Sequence, residues 1–263
     1  MQPEPRYDVR QVKSLDFNSL LKRSRLIFIL DEAANSKTGY AIDTNRWAYP
    51  QYVFYVKAST PKKMAQLIEK HQEGWRHQSR KQEIKHVQKR ILKYPTDEKF
   101  PVLENNNLSM RIPSGFDPSV NNENLAVLWR KTKQYDQGII IYRQSLYPQE
   151  TVLGSNIIQL RDSLSRAHVP AHREGSYMIT ELELPPQIKN SEMAGAFAFE
   201  TRGLWKAEND IMGGSFINYT VYDEKNEQLI MLDAFMYGPG VKKRNYLLEL
   251  EATLKTLKIS SNS

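Results

Sequence analysis

FAFETRGLWKAENDIMGGSFINYTVYDE, residues Phe197 to Glu224, is the stretch that decides the fold. Two runs with strand-like alternation flank a Gly-Gly step. In the first, Phe197, Phe199, Thr201, Gly203 and Trp205 share one face, and Ala198, Glu200, Arg202 and Leu204 share the other. The second, SFINYTVYDE, is followed by the hydrophilic Asp223-Glu224-Lys225-Asn226-Glu227 and another alternating run, QLIMLDAFMY. That pattern predicts a β-hairpin, so this part of the chain is antiparallel. Gly213-Gly214 after Met212 predicts a tight turn or bulge, or a point where a ligand approaches the backbone. No spacing within the stretch matches a nucleophile, metal or phosphate-loop motif.

Upstream of this core, SYMITELEL makes the first of four successive strands, and LSMRIPSGF, LAVLWRKT and GIIIYRQSL predict three more, with turns at Pro113-Ser114-Gly115 and Tyr135 to Gly138. Between the two groups, Pro148 to Ala167 is an amphipathic helix with Leu153, Ile157, Leu160, Leu164 and Ala167 on one face, stopped by Pro170. Downstream, Pro239-Gly240 ends the last strand. Lys242 to Leu257 is then a helix burying Leu247, Leu250, Leu254 and Leu257.

Residues 1 to 24 form an arm. Leu26 to Leu30, within RLIFILD, has the continuous apolar pattern of a strand buried on both faces. After a polar loop from Asn35 to Asn45, WAYPQYVFYVKA (Trp47 to Ala58) is a second strand with Pro50 at its edge or entry. Thr60-Pro61 supplies an N-cap and a first-turn proline. The helix it starts carries Met64, Leu67, Ile68, Trp75, Ile84, Val87 and Ile91, with a bend expected near Gly74. Tyr94 to Asn107 is a polar connection. The expected organisation is an N-terminal α/β part with a long basic helix (1–100) and a C-terminal α+β part with an antiparallel sheet and final helix (101–263). The fold class is α+β, an antiparallel sheet flanked by helices.

Composition is that of an ordinary globular protein, 40% hydrophobic and 25% charged. No apolar run reaches the roughly 18 residues that cross a bilayer. Cysteine is absent, which excludes disulfides, thiolate nucleophiles and cysteine-ligated metals. The net charge of +7 resides in one segment: Pro61 to Lys93 holds 10 Lys/Arg against 3 Asp/Glu, the whole of the excess. A solvated basic helix face accounts for it, and nucleic-acid binding through that helix is the alternative. His71, His77 and His86 are spaced by six and nine residues, which does not align two imidazoles for a metal. No cofactor motif is present.

The candidate binding residues are Glu200, Arg202 and Trp205, with Lys242, Lys243 and Arg244 at the start of the last helix. Glu200 and Arg202 are same-face neighbours, read either as an ion pair or as the polar floor of a groove in which Arg202 contacts an anion and Trp205 stacks. Three cations at a helix N-terminus oppose the macrodipole; a nearby carboxylate such as Asp233 or Glu249, or a bound anion, would compensate. A hydrolase would draw two carboxylates from Glu200, Asp210, Glu224 and Asp233.

EGSYMITE (Glu174 to Glu181), ETRGLWKAENDIMGG (Glu200 to Gly214), YTVYDE (Tyr219 to Glu224) and YGPGVKKRNYLLELEA (Tyr237 to Ala252) resemble an uncharacterised family of Bacteroidota envelope proteins, the domain of unknown function numbered 4837. A weaker likeness runs back through IPSGF, LWRKT and RDSLSRAHVP to the basic helix and RLIFILD. The resemblance implies a secreted protein, commonly a lipoprotein, without established activity, and a partner that is an envelope protein or an anionic ligand. The PEPRYDV segment resembles an internal point of that domain, and signal peptide and lipid-accepting cysteine are missing, so an N-terminally truncated chain is expected. Membrane contact would come only through a lipid anchor that this chain lacks. At fold level, the element order from Leu108 onward looks like a PsbP/Mog1-type α/β/α sandwich, whose members are mostly accessory and binding proteins. A non-catalytic envelope binding protein is the expectation, with a glycan hydrolase as the alternative.

Overall fold

The structure is a computed structural model and describes residues 7–91, 93–146 and 156–260. It divides into two compact units, with the division between His86 and Val87.

The first unit holds a three-stranded sheet, β1 (Leu26–Glu32), β2 (Gly39–Thr44) and β3 (Tyr52–Ala58), in the order β1-β3-β2. β1 runs parallel to β3 and β2 antiparallel to it. One face packs under helix α1 (Pro61–Ile91) through Phe54, Val56, Met64 and Trp75. The expected N-cap is in place: the Lys63 amide donates to Thr60 Oγ1 at 3.3 Å. Helix α1 is continuous through Gly74. RLIFILD is not buried on both faces as its run of apolar residues predicts; it forms the edge of the sheet, with Phe28 44% and Leu30 57% exposed. The predicted loop before Asn45 contains β2, whose polar residues (GYAIDT) hide an edge strand. The second predicted strand starts only at Tyr52, because Asn45 to Gln51 forms a loop around the cis Tyr49-Pro50 bond and the buried Gln51, whose amide donates to the Lys22 and Ser24 carbonyls.

The second unit contains α2 (Pro101–Glu104), β4 (Leu108–Ser109), β5 (Asp117–Asn121), β6 (Leu125–Lys131), β7 (Asp136–Ser145), α3 (Ile157–His168), β8 (Tyr177–Thr180), β9 (Gln187–Met193), β10 (Ala196–Glu208), β11 (Gly213–Asp223), β12 (Gln228–Tyr237), α4 (Arg244–Leu254) and β13 (Lys258–Ile259). The main sheet is antiparallel in the order β5-β6-β7-β12-β11-β10-β8, with β9 pairing the other half of β10 beside β8. Fold class is therefore α+β with an antiparallel sheet, and the hairpin of β11 and β12 is the one predicted. The α2 and α4 side chains cover one face, where Leu250, Leu254 and Leu257 meet Ile141, Ile217 and Leu232. Helix α3 covers the other, above Phe216 and Asp233.

Three sequence expectations change. Gly213-Gly214 is not the turn: both residues lie in β11, opposite Lys206 and Trp205. A Cβ at Gly214 would stand 2.0 Å from the Met236 carbonyl and 2.7 Å from the Trp205 indole nitrogen, and one at Gly203 would meet the Phe216 ring at 2.7 Å. These glycines let aromatic rings of the neighbouring strand lie flat on the sheet. Helix α3 buries Ile157, Arg161 and Ser165 rather than a leucine stripe; the part of the predicted helix from Pro148 to Ser155 lies outside the described residues. Of LSMRIPSGF, only Leu108–Ser109 is strand, while Ile112 and Phe116 still enter the core. Among the described residues, no helix is long and apolar enough to cross a membrane.

Candidate functional site

Strand parity puts Glu200 and Arg202 on the face covered by α4. Glu200 stands directly opposite Tyr219 in the register of β10 and β11. Arg202 Nε donates to Glu200 Oε1 at 2.6 Å and its Nη2 pairs with Glu251 Oε1 at 2.8 Å, so two carboxylates hold one guanidinium. The Tyr219 hydroxyl donates to Glu200 Oε2 at 2.9 Å, and Lys255 Nζ sits 4.8 Å from the Tyr219 ring centre. Burial, helped by the charges of Glu251 and Glu200, raises the Tyr219 phenol far above its ordinary range, so it is a neutral donor. For Arg202, burial acts to lower the pKa, but Glu251 and Glu200 outweigh it and the net direction is up. Arg202 is therefore permanently charged and oriented.

Beside this cluster lies a cavity of about 340 Å³, lined by Leu184, Pro185, Leu204, Ile217, Leu247 and Arg202, with Gln187 and Ser215 among its polar wall residues. It opens where the chain passes from β8 to β9 along β10: β8 pairs only Trp205 to Glu208, and β9 only Ala196 to Arg202. Arg202 is the one charged residue on this wall among the described residues. Neither Glu200 nor Glu251 lines it.

Trp205 is not part of this place. It lies on the opposite face, 5% exposed, with its indole N–H donated to the Met236 carbonyl at 3.2 Å. The alternation in the sequence already separates it from Arg202; its burial required knowing that Gly214 leaves room for the ring. Lys242 precedes α4 and is exposed, Lys243 is the N-cap residue with Nζ on the Val241 carbonyl at 3.2 Å, and Arg244 is the first helical residue. Leu247 lies one turn on from Lys243 and Arg244, within the i to i+3 and i+4 reach of neighbours on a helix surface. The carboxylates expected to compensate those cations are engaged elsewhere. Asp233 pairs with Arg161 at 2.8 Å, and Glu249 bridges Arg130 at 2.6 Å and Arg90 at 3.3 Å.

The opposite face holds a second polar cluster that sequence reasoning missed. Arg161 and Asp233 are both fully buried. Arg161 Nη1 donates to Thr180 Oγ1 at 3.0 Å, its guanidinium lies 3.7 Å from the Phe216 ring centre, and Asn218 Nδ2 donates to Asp233 Oδ2 at 3.1 Å. Burial pushes the Asp233 carboxyl upward against the opposing pull of Arg161. Asp233 Oδ1, Thr201 Oγ1 and Ser165 Oγ make no hydrogen bond. The signal was the single Asp within the apolar QLIMLDAFMY run, with an Arg on the expected apolar face of a helix.

A glycoside hydrolase of the retaining or inverting kind uses two carboxylates about 5 to 9.5 Å apart. Glu200 lies within β10 and Asp210 in the turn beyond its end, so the eight residues to Glu208 alone separate them by roughly 26 Å at about 3.3 Å per residue. Asp210 is held by the Ile211 and Arg173 amides, and Asp233 is locked to Arg161. Among the described residues, no group of three His, Asp or Glu side chains is arranged to hold a metal.

Fold and site together define an antiparallel α+β domain with a partly apolar groove and two ion clusters on opposite sheet faces. Residues 96–256 match the family described as Domain of unknown function (DUF4837), more than half of the chain, and the chain belongs to that family. Residues 1–92 match a separate family, Domain of unknown function (DUF8532), so the weaker likeness of the basic helix and RLIFILD falls in a segment with its own family. No curated protein matches the chain. Among solved structures, the Ran-binding protein Mog1p of Saccharomyces cerevisiae is similar at 8% identity and a TM-score of 0.40, covering 60% of this chain and 93% of its own. A point mutant of protein Mog1 is similar at 9% identity and a TM-score of 0.37, covering 61% and 94%.

Proposed function

We propose that the protein is a non-catalytic binding protein of the cell envelope, and that the cavity beside Arg202 holds an anion with an apolar body. The observation that carries this is the composition of the wall: apolar side chains surround a single guanidinium that is oriented by two carboxylates lying off the wall. Leu247 ties the cavity to the cationic start of α4 one turn away. Arg202 faces the cavity with its charge matched by Glu200 and Glu251, and Lys243 and Arg244 stand one helical turn from Leu247 on the wall. About 340 Å³ is at the small end of ligand sites, which run from roughly 300 to 1,000 Å³. Trp205 has no part in this site. An envelope location follows the family likeness and is checked by fractionating cells that express the native gene product.

Calorimetric titration with octanoate, and with octanol as the uncharged control, tests the site. Octanoate binds and octanol binds at least tenfold more weakly; Lys243→Ala and Leu184→Ser each reduce octanoate affinity while the thermal midpoint holds. Equal affinity for acid and alcohol, or no effect of either substitution, removes the site.

A further inference from the structure

β1 is a sheet edge: β3 pairs with one side of it, and among the described residues no strand pairs with the other. Edge strands are ordinarily blunted by lysine, proline, a bulge or a cover. Leu26 to Leu30 carries no such device in its sequence, and its Phe28 and Leu30 are exposed. Outward from Phe28, RLIFILD reads symmetrically: Ile27 and Ile29, then Leu26 and Leu30, then Arg25 and Asp31, a cation at one end and an anion at the other.

We propose that β1 is the contact through which two copies of this chain associate, pairing antiparallel about a twofold axis at Phe28 perpendicular to the sheet. Such an axis keeps the same face of both sheets up, so residues opposite one another must share parity along the strand. Centred on Phe28, Phe28 meets the Phe28 of the copy, each Ile27 meets Ile29, each Leu26 meets Leu30, and each Arg25 meets Asp31. Moving the centre to Ile29 sets Asp31 against Ile27 and Glu32 against Leu26; moving it to Ile27 sets Arg25 against Ile29. One register alone matches apolar with apolar and cation with anion, and cross-strand pairs of these kinds are what stabilise a sheet. Asp31 remains available, because its pair with Lys57 at 3.5 Å joins two half-exposed side chains and such surface pairs hold little. The product is a six-stranded sheet, β2-β3-β1 continued into β1-β3-β2 of the copy. A contact this short belongs to the weak, concentration-dependent class.

Sedimentation velocity of the 263-residue chain over a range of concentrations tests the contact, with far-UV circular dichroism on each variant to show that the fold persists. The wild-type chain forms a concentration-dependent dimer. Arg25→Asp and Asp31→Arg each weaken it by roughly tenfold or more, because both symmetry-related pairs become like-charged, and the double variant restores it. Leu30→Lys gives monomer. A chain that is monomeric at every concentration, a dimer indifferent to the single charge reversals, or a double variant no tighter than the singles overturns the proposal.

Discussion

Arg161 is the largest fully buried side chain among the described residues, and its place shows what a charge inside a core requires. Its partner Asp233 is equally buried, Asp162 Oδ1 lies 3.3 Å from Nη1, and the Phe216 ring, Thr180 and Met178 pack around it. Removing Arg161 leaves the buried Asp233 carboxylate without its cation, so Arg161→Ala is expected to cost about 3 to 5 kcal/mol in urea denaturation, whereas Arg161→Met with Asp233→Leu recovers most of that loss. The same scale explains Gly214. Its Cβ would strike the Met236 carbonyl, a backbone atom that cannot swing aside, so Gly214→Ala is expected to lower stability by about 1 to 3 kcal/mol. Asp210 gives a pH signature. Hydrogen bonds from the Ile211 amide, then from that of Arg173, with the Arg173 charge, lower its pKa in the folded state. A depressed carboxylate contributes stability that is complete above its unfolded pKa, about 4, and is lost as pH falls through the lower folded value. Asp210→Asn therefore flattens the acid limb of a stability–pH profile and leaves its neutral and alkaline parts parallel to wild type.

At the level of elements, legibility followed periodicity. Long alternating runs, β6, β7, β10, β11 and β12, were readable because each shows one apolar face or a continuous apolar run between turn residues. Short polar strands were not. QIKNSEM in β9 and GYAIDT in β2 carry little alternation of their own, although each pairs with the strand that follows it, β9 with β10 across Ala194-Gly195 and β2 with β3. Helix α3 was legible as a helix but not as a charged one, since an arginine on an apolar face is decoded only when Asp233 is seen beneath it. Glu200 and Arg202 were legible as neighbours; the third member, Glu251, comes from α4, and only tertiary packing brings it there. The start of α1 was fully local: with Thr60 as the cap, Thr60→Ala should cost about 1 kcal/mol and be visible as a lowered thermal midpoint.

For the whole molecule, the two family matches meet between residues 92 and 96, and the two compact units meet between His86 and Val87. Helix α1 runs across the division between the units and ends at Ile91, just short of the family boundary. Each unit has its own sheet and its own apolar cluster, and each carries a different proposed contact: a ligand groove on the larger sheet and a self-pairing edge on the smaller. The groove is the central claim, and amide chemical-shift mapping of the ¹⁵N-labelled chain during an octanoate titration tests it most directly. Saturable shifts concentrated at Gln187, Gly203, Leu204 and Leu247, and weakened in Lys243→Ala, are the predicted result. Saturable shifts that fall instead on other parts of the molecule, or no saturable shift at all, would contradict it.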